Sequence, residues 1–262
     1  MLERIKSIVL EASRLMVESG FTMVQKDGFA NIVTSSYVAV QEFLCAEFQK
    51  LTPGCGFICE EEEHHDLDKE YVWIIDPIDG TSNYSRGIDH CCISVALMHN
   101  GTIVSGVVYS PWRKEMYTAE KGRGAFMNGM PIHVSDRSFE NSMFCTALCT
   151  YRKEYAQICS DVTMDVYMQC NDTRRFGSAA IEICFLASGH CELYFEFRLQ
   201  PWDYAAAILI LEEAGGKACN LDGVLPRYNA PDLVCAANSP ENLERLLEAV
   251  HRHVEVLPEN YV

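Results

Sequence analysis

Five residues, Tyr71-Val72-Trp73-Ile74-Ile75, read as a short buried strand that runs straight into Asp76-Pro77-Ile78-Asp79-Gly80-Thr81. This run constrains the chain more than any other. Carboxylates at the end of a buried strand are costly unless each is paired or binds a cation. Pro77 removes a backbone donor and fixes the chain direction. Gly80 lets the backbone approach a ligand closely. A helix starting over residues 81–85 would aim the free N–H groups of Gly80 and Thr81 at an anion. Carboxylates for a hard cation beside donors for a phosphate are what metal-assisted phosphoryl hydrolysis requires. A plain Asp-Pro/Asp-Gly turn is the competing interpretation of the segment alone.

Spacing tests two other motifs. An EF-hand loop needs acids at its first, third and fifth positions and a glutamate at its twelfth. Those positions hold Asp76, Ile78, Gly80 and Gly87, so the pattern fails. A haloacid-dehalogenase-type phosphatase carries Asp-x-Asp after its strand. This chain has one residue more between its aspartates, which leaves that family a distant second.

Two further acidic segments accompany the run. Phe57-Ile58-Cys59-Glu60-Glu61-Glu62-Glu63 is an acid run after a strand, by itself usually a solvated loop. Pro201-Trp202-Asp203-Tyr204 precedes an Ala-rich stretch, Ala205 to Ala214, closed by Gly215-Gly216. Asp203 sits where a helix cap belongs, and it could equally aim at a cation.

Residues 2–19 read as an amphipathic helix with Ile5, Ile8, Val9, Ala12, Leu15 and Met16 on one face, and a second helix covers about 36–50. Asn100-Gly101 joins two alternating strands, Ile93 to His99 and Thr102 to Tyr109, and Asn128-Gly129 marks another hairpin. The polar segment 135–138 suggests a division into an N-terminal α+β domain, 1–138, and a C-terminal α/β domain, 139–262. The second part alternates: strand 143–149, helix 178–188, strand 192–197, helix 203–214, strand 233–237, helix 240–254. The formal net charge of −16 argues against nucleic acid, whose backbone needs basic patches. No uncharged apolar run is long enough for a membrane span. The N-terminus is charged throughout, so the expected location is cytoplasmic. Thirteen cysteines without a Cys-x-x-Cys pair read mostly as small buried hydrophobes, with a zinc site a minor alternative. His64-His65 and His251-x-His253 could ligate metal, but read rather as exposed histidines.

Taken together, the three acidic segments resemble the inositol monophosphatase-like family, the Mg²⁺-dependent group related to fructose-1,6-bisphosphatase. Asp76-Pro77-Ile78-Asp79-Gly80-Thr81 and Trp202-Asp203 through Glu213-Ala214-Gly215-Gly216 match its two signatures in order and at a suitable separation. The resemblance covers nearly the whole chain. It implies a layered αβαβα sandwich, a homodimer and a Mg²⁺-dependent phosphomonoesterase using two metal ions to activate water; the missing carboxylate at Tyr37 leaves a third ion weak or absent. It further implies that Glu60, Asp76 and the Ile78 carbonyl hold one ion, and that Asp76, Asp79 and Asp203 hold the other. Thr81 would orient the attacking water, and the Gly80–Thr81 backbone would bind phosphate. The polyol would meet Gly177-Ser178-Ala179-Ala180 and Glu196; Arg174 and Arg175 precede that loop and suit either core ion pairing or substrate contact.

Two departures stand out. Cys59 replaces a glycine the family usually has before its glutamates. More seriously, the family's Asp-x-Val-Thr-x-x-Asp pattern is here Asn31-Ile32-Val33-Thr34-Ser35-Ser36-Tyr37, with both acids gone. The expected substrate is a small phosphorylated polyol or sugar, with inositol 1-phosphate leading, since Ser82-Asn83-Tyr84 resembles the monophosphatase branch. Histidinol phosphate, a sugar bisphosphate and a nucleotide 3′-phosphate are alternatives. So is a catalytically weakened protein that only binds a phosphate ligand.

Overall fold

The computed structural model describes residues 1–18, 23–25, 32–60, 67–258 and 261. Asn31, Gly20, Glu61 to Glu63 and His64-His65 lie outside the described residues. The chain opens with helix α1 (Leu2–Glu18), the short strands β1 (Met23–Gln25) and β2 (Ile32–Thr34), and helix α2 (Ser35–Leu51). Strands β3 (Gly56–Cys59) and β4 (Tyr71–Asp79) follow, then the single turn α3 (Thr81–Tyr84). An antiparallel meander comes next: β5 (Cys92–His99), β6 (Thr102–Ser110), β7 (Glu115–Glu120), β8 (Ala125–Met127) and β9 (Met130–Ile132). The second half runs β10 (Met143–Thr146), α4 (Ala156–Tyr167), β11 (Asp172–Arg174), α5 (Ala179–Ala187), β12 (Leu193–Leu199) and α6 (Pro201–Glu213). It ends with β13 (Lys217–Cys219), β14 (Asp232–Ala237) and α7 (Pro240–His251).

Two large sheets result. The first has the order β3-β4-β5-β6-β7-β8-β9, antiparallel except for the parallel β3–β4 pair. The second has the order β11-β10-β12-β14-β13, parallel over its first three strands and antiparallel beyond. The tight hairpins form where Asn-Gly occurs. Asn100 and Gly101 take φ of 47° and 76°, Asn128 and Gly129 take 51° and 80°, and Asn and Gly tolerate these left-handed angles best.

Alternation along the strands sorts side chains into layers. From β4, Trp73 and Ile75 face α1 and α2 in one core, while Val72 and Ile74 face α5 and α6 in another. From β12, Leu193, Phe195 and Phe197 face α4 and α7, whereas Tyr194 faces the middle helices. The molecule is therefore a layered αβαβα sandwich, as the sequence led us to expect. The middle helices are apolar all round because both sides are covered, and α6 is buried from Tyr204 through Leu211. The thirteen cysteines are free thiols, and all but Cys45 and Cys170 are buried. No helix among the described residues is long and apolar enough to cross a membrane.

Several boundaries differ from the sequence expectation. β4 continues four residues past Ile75 and carries both aspartates itself. β10 stops at Thr146, and Cys149 beyond it has a φ of 49°. α6 begins at Pro201, so Asp203 occupies the third position of the first turn and Gln200 the cap. Proline at the first position needs no N–H partner, which favours this earlier start.

Candidate active site

A regular strand points residues i and i+3 to opposite faces, so Asp76 and Asp79 could not meet on one. β4 solves this with an irregularity. Asp76 pairs with Ser94 and Asp79 with Cys92, so three steps on β4 oppose two on β5. The additional residue is the one that excluded an Asp-x-Asp motif. Pro77 has no N–H to lose at this point, and the Ile78 N–H donates to Asp76 Oδ1 at 2.9 Å. Asp203 arrives from α6, whose first turn is tied to β5 by Ser94 Oγ donating to the Trp202 carbonyl at 3.2 Å. Asp76, Asp79 and Asp203 then offer carboxylate oxygens all within 4.8 Å of one another.

Such a set is electrostatically unfavourable by itself. Burial holds the Asp76 carboxyl well above its usual range, and the like charges of Glu60, Asp79 and Asp203 push it further. Asp203 is raised well above its usual value by burial and then by Asp79. Asp79 is raised by burial, partly offset by the Ser178 hydroxyl and the Ala180 N–H, which donate to its Oδ2 at 2.6 and 2.8 Å. Asp203 also completes a capping box by accepting the Gln200 N–H at 2.8 Å, so capping and convergence on the cluster coexist. An all-oxygen, mutually repelling donor set fits a hard divalent cation such as Mg²⁺.

Glu60 follows β3 but lies outside this tight cluster. Its Oε2 accepts a hydrogen bond from the hydroxyl of Tyr37, which is 1% exposed. The Ile78 carbonyl accepts the Thr81 hydroxyl at 3.0 Å. Gly80 takes a φ of 88°, and a Cβ there would stand 2.9 Å from the His90 carbonyl, so a side chain is barred twice over. α3 is a single turn whose first N–H groups have no intrahelical partner.

The loop over residues 176–180 closes the site from the other half of the chain. The Phe176, Gly177 and Ser178 N–H groups donate to the Glu182 carboxyl, and the Ala180 N–H donates to Asp79. Gly177, Ser178 and Ala179 thus stand beside the aspartates, with much of their donor capacity engaged within the protein. Glu196, on β12, accepts the Tyr194 hydroxyl at 2.8 Å, and burial pushes its carboxyl up to about 7. Of the two arginines, Arg174 pairs with Asp172. Arg175 donates to Thr150 Oγ1 at 3.1 Å, and its charge pulls slightly against the rise at Glu196.

Sequence reasoning missed Tyr151. The residue as a whole is 63% exposed, but crowding around its hydroxyl, and then the charges of Glu60, Asp203, Asp76 and Asp79, push that group upward. An aromatic in an irregular loop carries no periodic signal, so only the tertiary fold brings it to these four acids. Of the histidines considered as ligands, His251 contacts the Leu221 carbonyl and His253 contacts Asp165. Among the described residues the aspartate cluster is the only one with metal-binding closeness.

Comparison with known proteins bears on this geometry. The model of the inositol monophosphatase family matches residues 3–255. The chain belongs to the inositol monophosphatase family. An inositol-1-monophosphatase of Mesorhizobium japonicum is 34% identical over 203 residues, covering 76% of both chains. The Nus factor SuhB of Xylella fastidiosa is 36% identical over 190 residues, 70% of this chain and 66% of that relative. In three dimensions, the extragenic suppressor protein suhB of Bartonella henselae superimposes with a TM-score of 0.87 at 28% identity, over 96% of this chain and 98% of that one. Membership in this family supports a phosphatase built on this fold.

Proposed function

We propose that the protein is a Mg²⁺-dependent phosphomonoesterase acting on a small phosphorylated polyol, with inositol 1-phosphate the leading substrate. The observation that carries the proposal is the convergence of buried Asp76 and Asp79 with half-buried Asp203 within 4.8 Å, beside the start of α3. In this proposal Asp76, Asp79 and Asp203 hold one cation, and Asp76, Glu60 and the Ile78 carbonyl hold a second. Bound cations supply positive charge to the phosphoryl oxygens and lower the pKa of a water. The rest falls to the chain's own groups. The first-turn N–H groups of α3 face the phosphate, where donors aimed at developing charge are most effective. Thr81, donating to the Ile78 carbonyl, keeps its lone pairs free to accept a hydrogen bond from the attacking water. Glu196 and the 177–179 loop border the polyol.

The name of the Mesorhizobium relative supports inositol phosphate as the substrate. The net charge of −16 argues against a phosphate-backbone partner, so the proposal stays with a small ester. The test is phosphate release from inositol 1-phosphate, histidinol phosphate, sugar bisphosphates and 3′-phosphoadenosine 5′-phosphate, with Mg²⁺ and with EDTA. The expected result is the highest kcat/KM on inositol 1-phosphate and no release in EDTA. A preference for a bisphosphate would overturn the substrate. No release from any ester, with retained binding, would make the protein a phosphate-ligand binder.

A further inference from the structure

Glu182 is a buried carboxyl with no role in the chemistry above. It lies in α5 and is 2% exposed. Its Oε1 accepts the Phe176 N–H at 3.0 Å and the Gly177 N–H at 2.7 Å, with the Ser178 N–H at 3.4 Å. Its Oε2 is buried, and no hydrogen-bond partner among the described residues reaches it. The same loop is held from its other side by Asn83, whose Nδ2 donates to the Phe176 carbonyl at 2.7 Å and to the His90 carbonyl at 2.8 Å. The residues that leave the loop, Ser178 and Ala180, are the donors to Asp79.

These contacts form one continuous path from Glu182 through the loop to Asp79. Consecutive N–H groups of an irregular loop have no ladder partner. Ser178 is buried, and although Phe176 and Gly177 are exposed residues, their N–H groups turn inward to the same acceptor. Glu182 supplies a single oxygen on which they converge, and this fixes the peptide orientations that send the Ser178 hydroxyl and the Ala180 N–H to Asp79. We propose that Glu182 is a positioning residue, whose carboxyl clamps the 176–178 loop so that Asp79 is held in register with Asp76 and Asp203. The proposal rests on the reading of Asp79 as a metal ligand.

Burial pushes Glu182 up to about 8, against the opposing pull of the three N–H donors. What the loop N–H groups take from it is one acceptor oxygen, Oε1. A carbonyl oxygen at the same place therefore suffices, and glutamine provides one. Leucine provides the volume without the acceptor.

The test uses Glu182→Leu and Glu182→Gln in the full chain, with kcat and KM on inositol 1-phosphate and a Tb³⁺ titration read by tryptophan-sensitised luminescence, Trp202 being adjacent to Asp203. In Glu182→Leu, kcat should fall on the order of 10²-fold, as for a misplaced reacting group, KM should rise because the 177–179 loop borders the polyol, and Tb³⁺ should bind more weakly. Glu182→Gln should restore all three. A folded Glu182→Leu protein with wild-type kcat and a wild-type Tb³⁺ curve would overturn the proposal. Should Glu182→Leu not fold, hydrogen exchange on the wild type decides, because the amides of 176–178 must be protected without metal. Exchange at the rate of an open loop would overturn it. A wild type that releases phosphate from no ester refutes the proposed reaction instead, and the Tb³⁺ and exchange measurements still judge Glu182.

Discussion

The Tyr37 hydroxyl, in the first turn of α2, donates a hydrogen bond to the Glu60 carboxylate just past the end of β3. In the family pattern an aspartate stands at this position. A second carboxylate there would repel Glu60, whereas the phenol gives Glu60 a donor and fixes its direction. Where the family pattern would place a proton acceptor, this chain has a donor that restrains Glu60.

Tyr37→Phe removes only that donor. A hydrogen bond to a charged group contributes about 1.5–3 kcal/mol, so the variant should be less stable by an amount in that range. Glu60 should also hold its cation less well. A Mg²⁺ titration of rate should show a higher half-saturating concentration than wild type. An unchanged titration would mean that the phenol does not orient Glu60 for metal.

Asp79→Asn should cripple turnover and spare the fold. The amide keeps one oxygen to accept from Ser178 or Ala180 but loses the charge. The expected fall in kcat is ~10²-fold or more, the scale of a missing electrostatic stabiliser. Circular dichroism should match wild type. Near-native turnover would remove Asp79 from the site.

Mg²⁺ should stabilise the protein as well as activate it. Asp76, Asp79 and Asp203 repel one another until a cation lies among them. A ligand at 100 times its Kd stabilises the folded state by about 2.7 kcal/mol. Thermal denaturation should shift upward with Mg²⁺ in wild type and much less in Asp203→Asn. Full activity in excess EDTA would refute the cation requirement altogether.

Stability should fall with rising pH. Glu182 is raised from 4.5 to about 8 in the folded state, so the folded chain retains a proton that the unfolded chain releases. Between those two values each increment of pH favours unfolding, and above about 8 the effect is complete. Glu196, raised from 4.5 to about 7, acts with the same sign. Urea denaturation in EDTA across this window should give a flatter dependence for Glu182→Gln than for wild type. Parallel curves would show that Glu182 is ionised in the folded protein.

The features legible along the chain were local. The apolar period of 3.6 marked α1, and Asn-Gly marked two hairpins. A buried strand ending in aspartates marked the centre of the site, and the two motif segments together indicated the family. Each of these signals depends on neighbours within a few residues, where backbone preference and side-chain spacing act directly. The tertiary structure decided what those residues meet. The β4 irregularity turned Asp76 and Asp79 onto one side because β5 offered two residues against three. α6 reached the cluster because Ser94 on β5 anchors its first turn. Tyr37 met Glu60, Tyr151 came within range of four acids, and the loop donors went to Glu182 and Asp79. Partners this far apart in the chain are chosen by how the layers pack, and no pattern along a single segment encodes that choice.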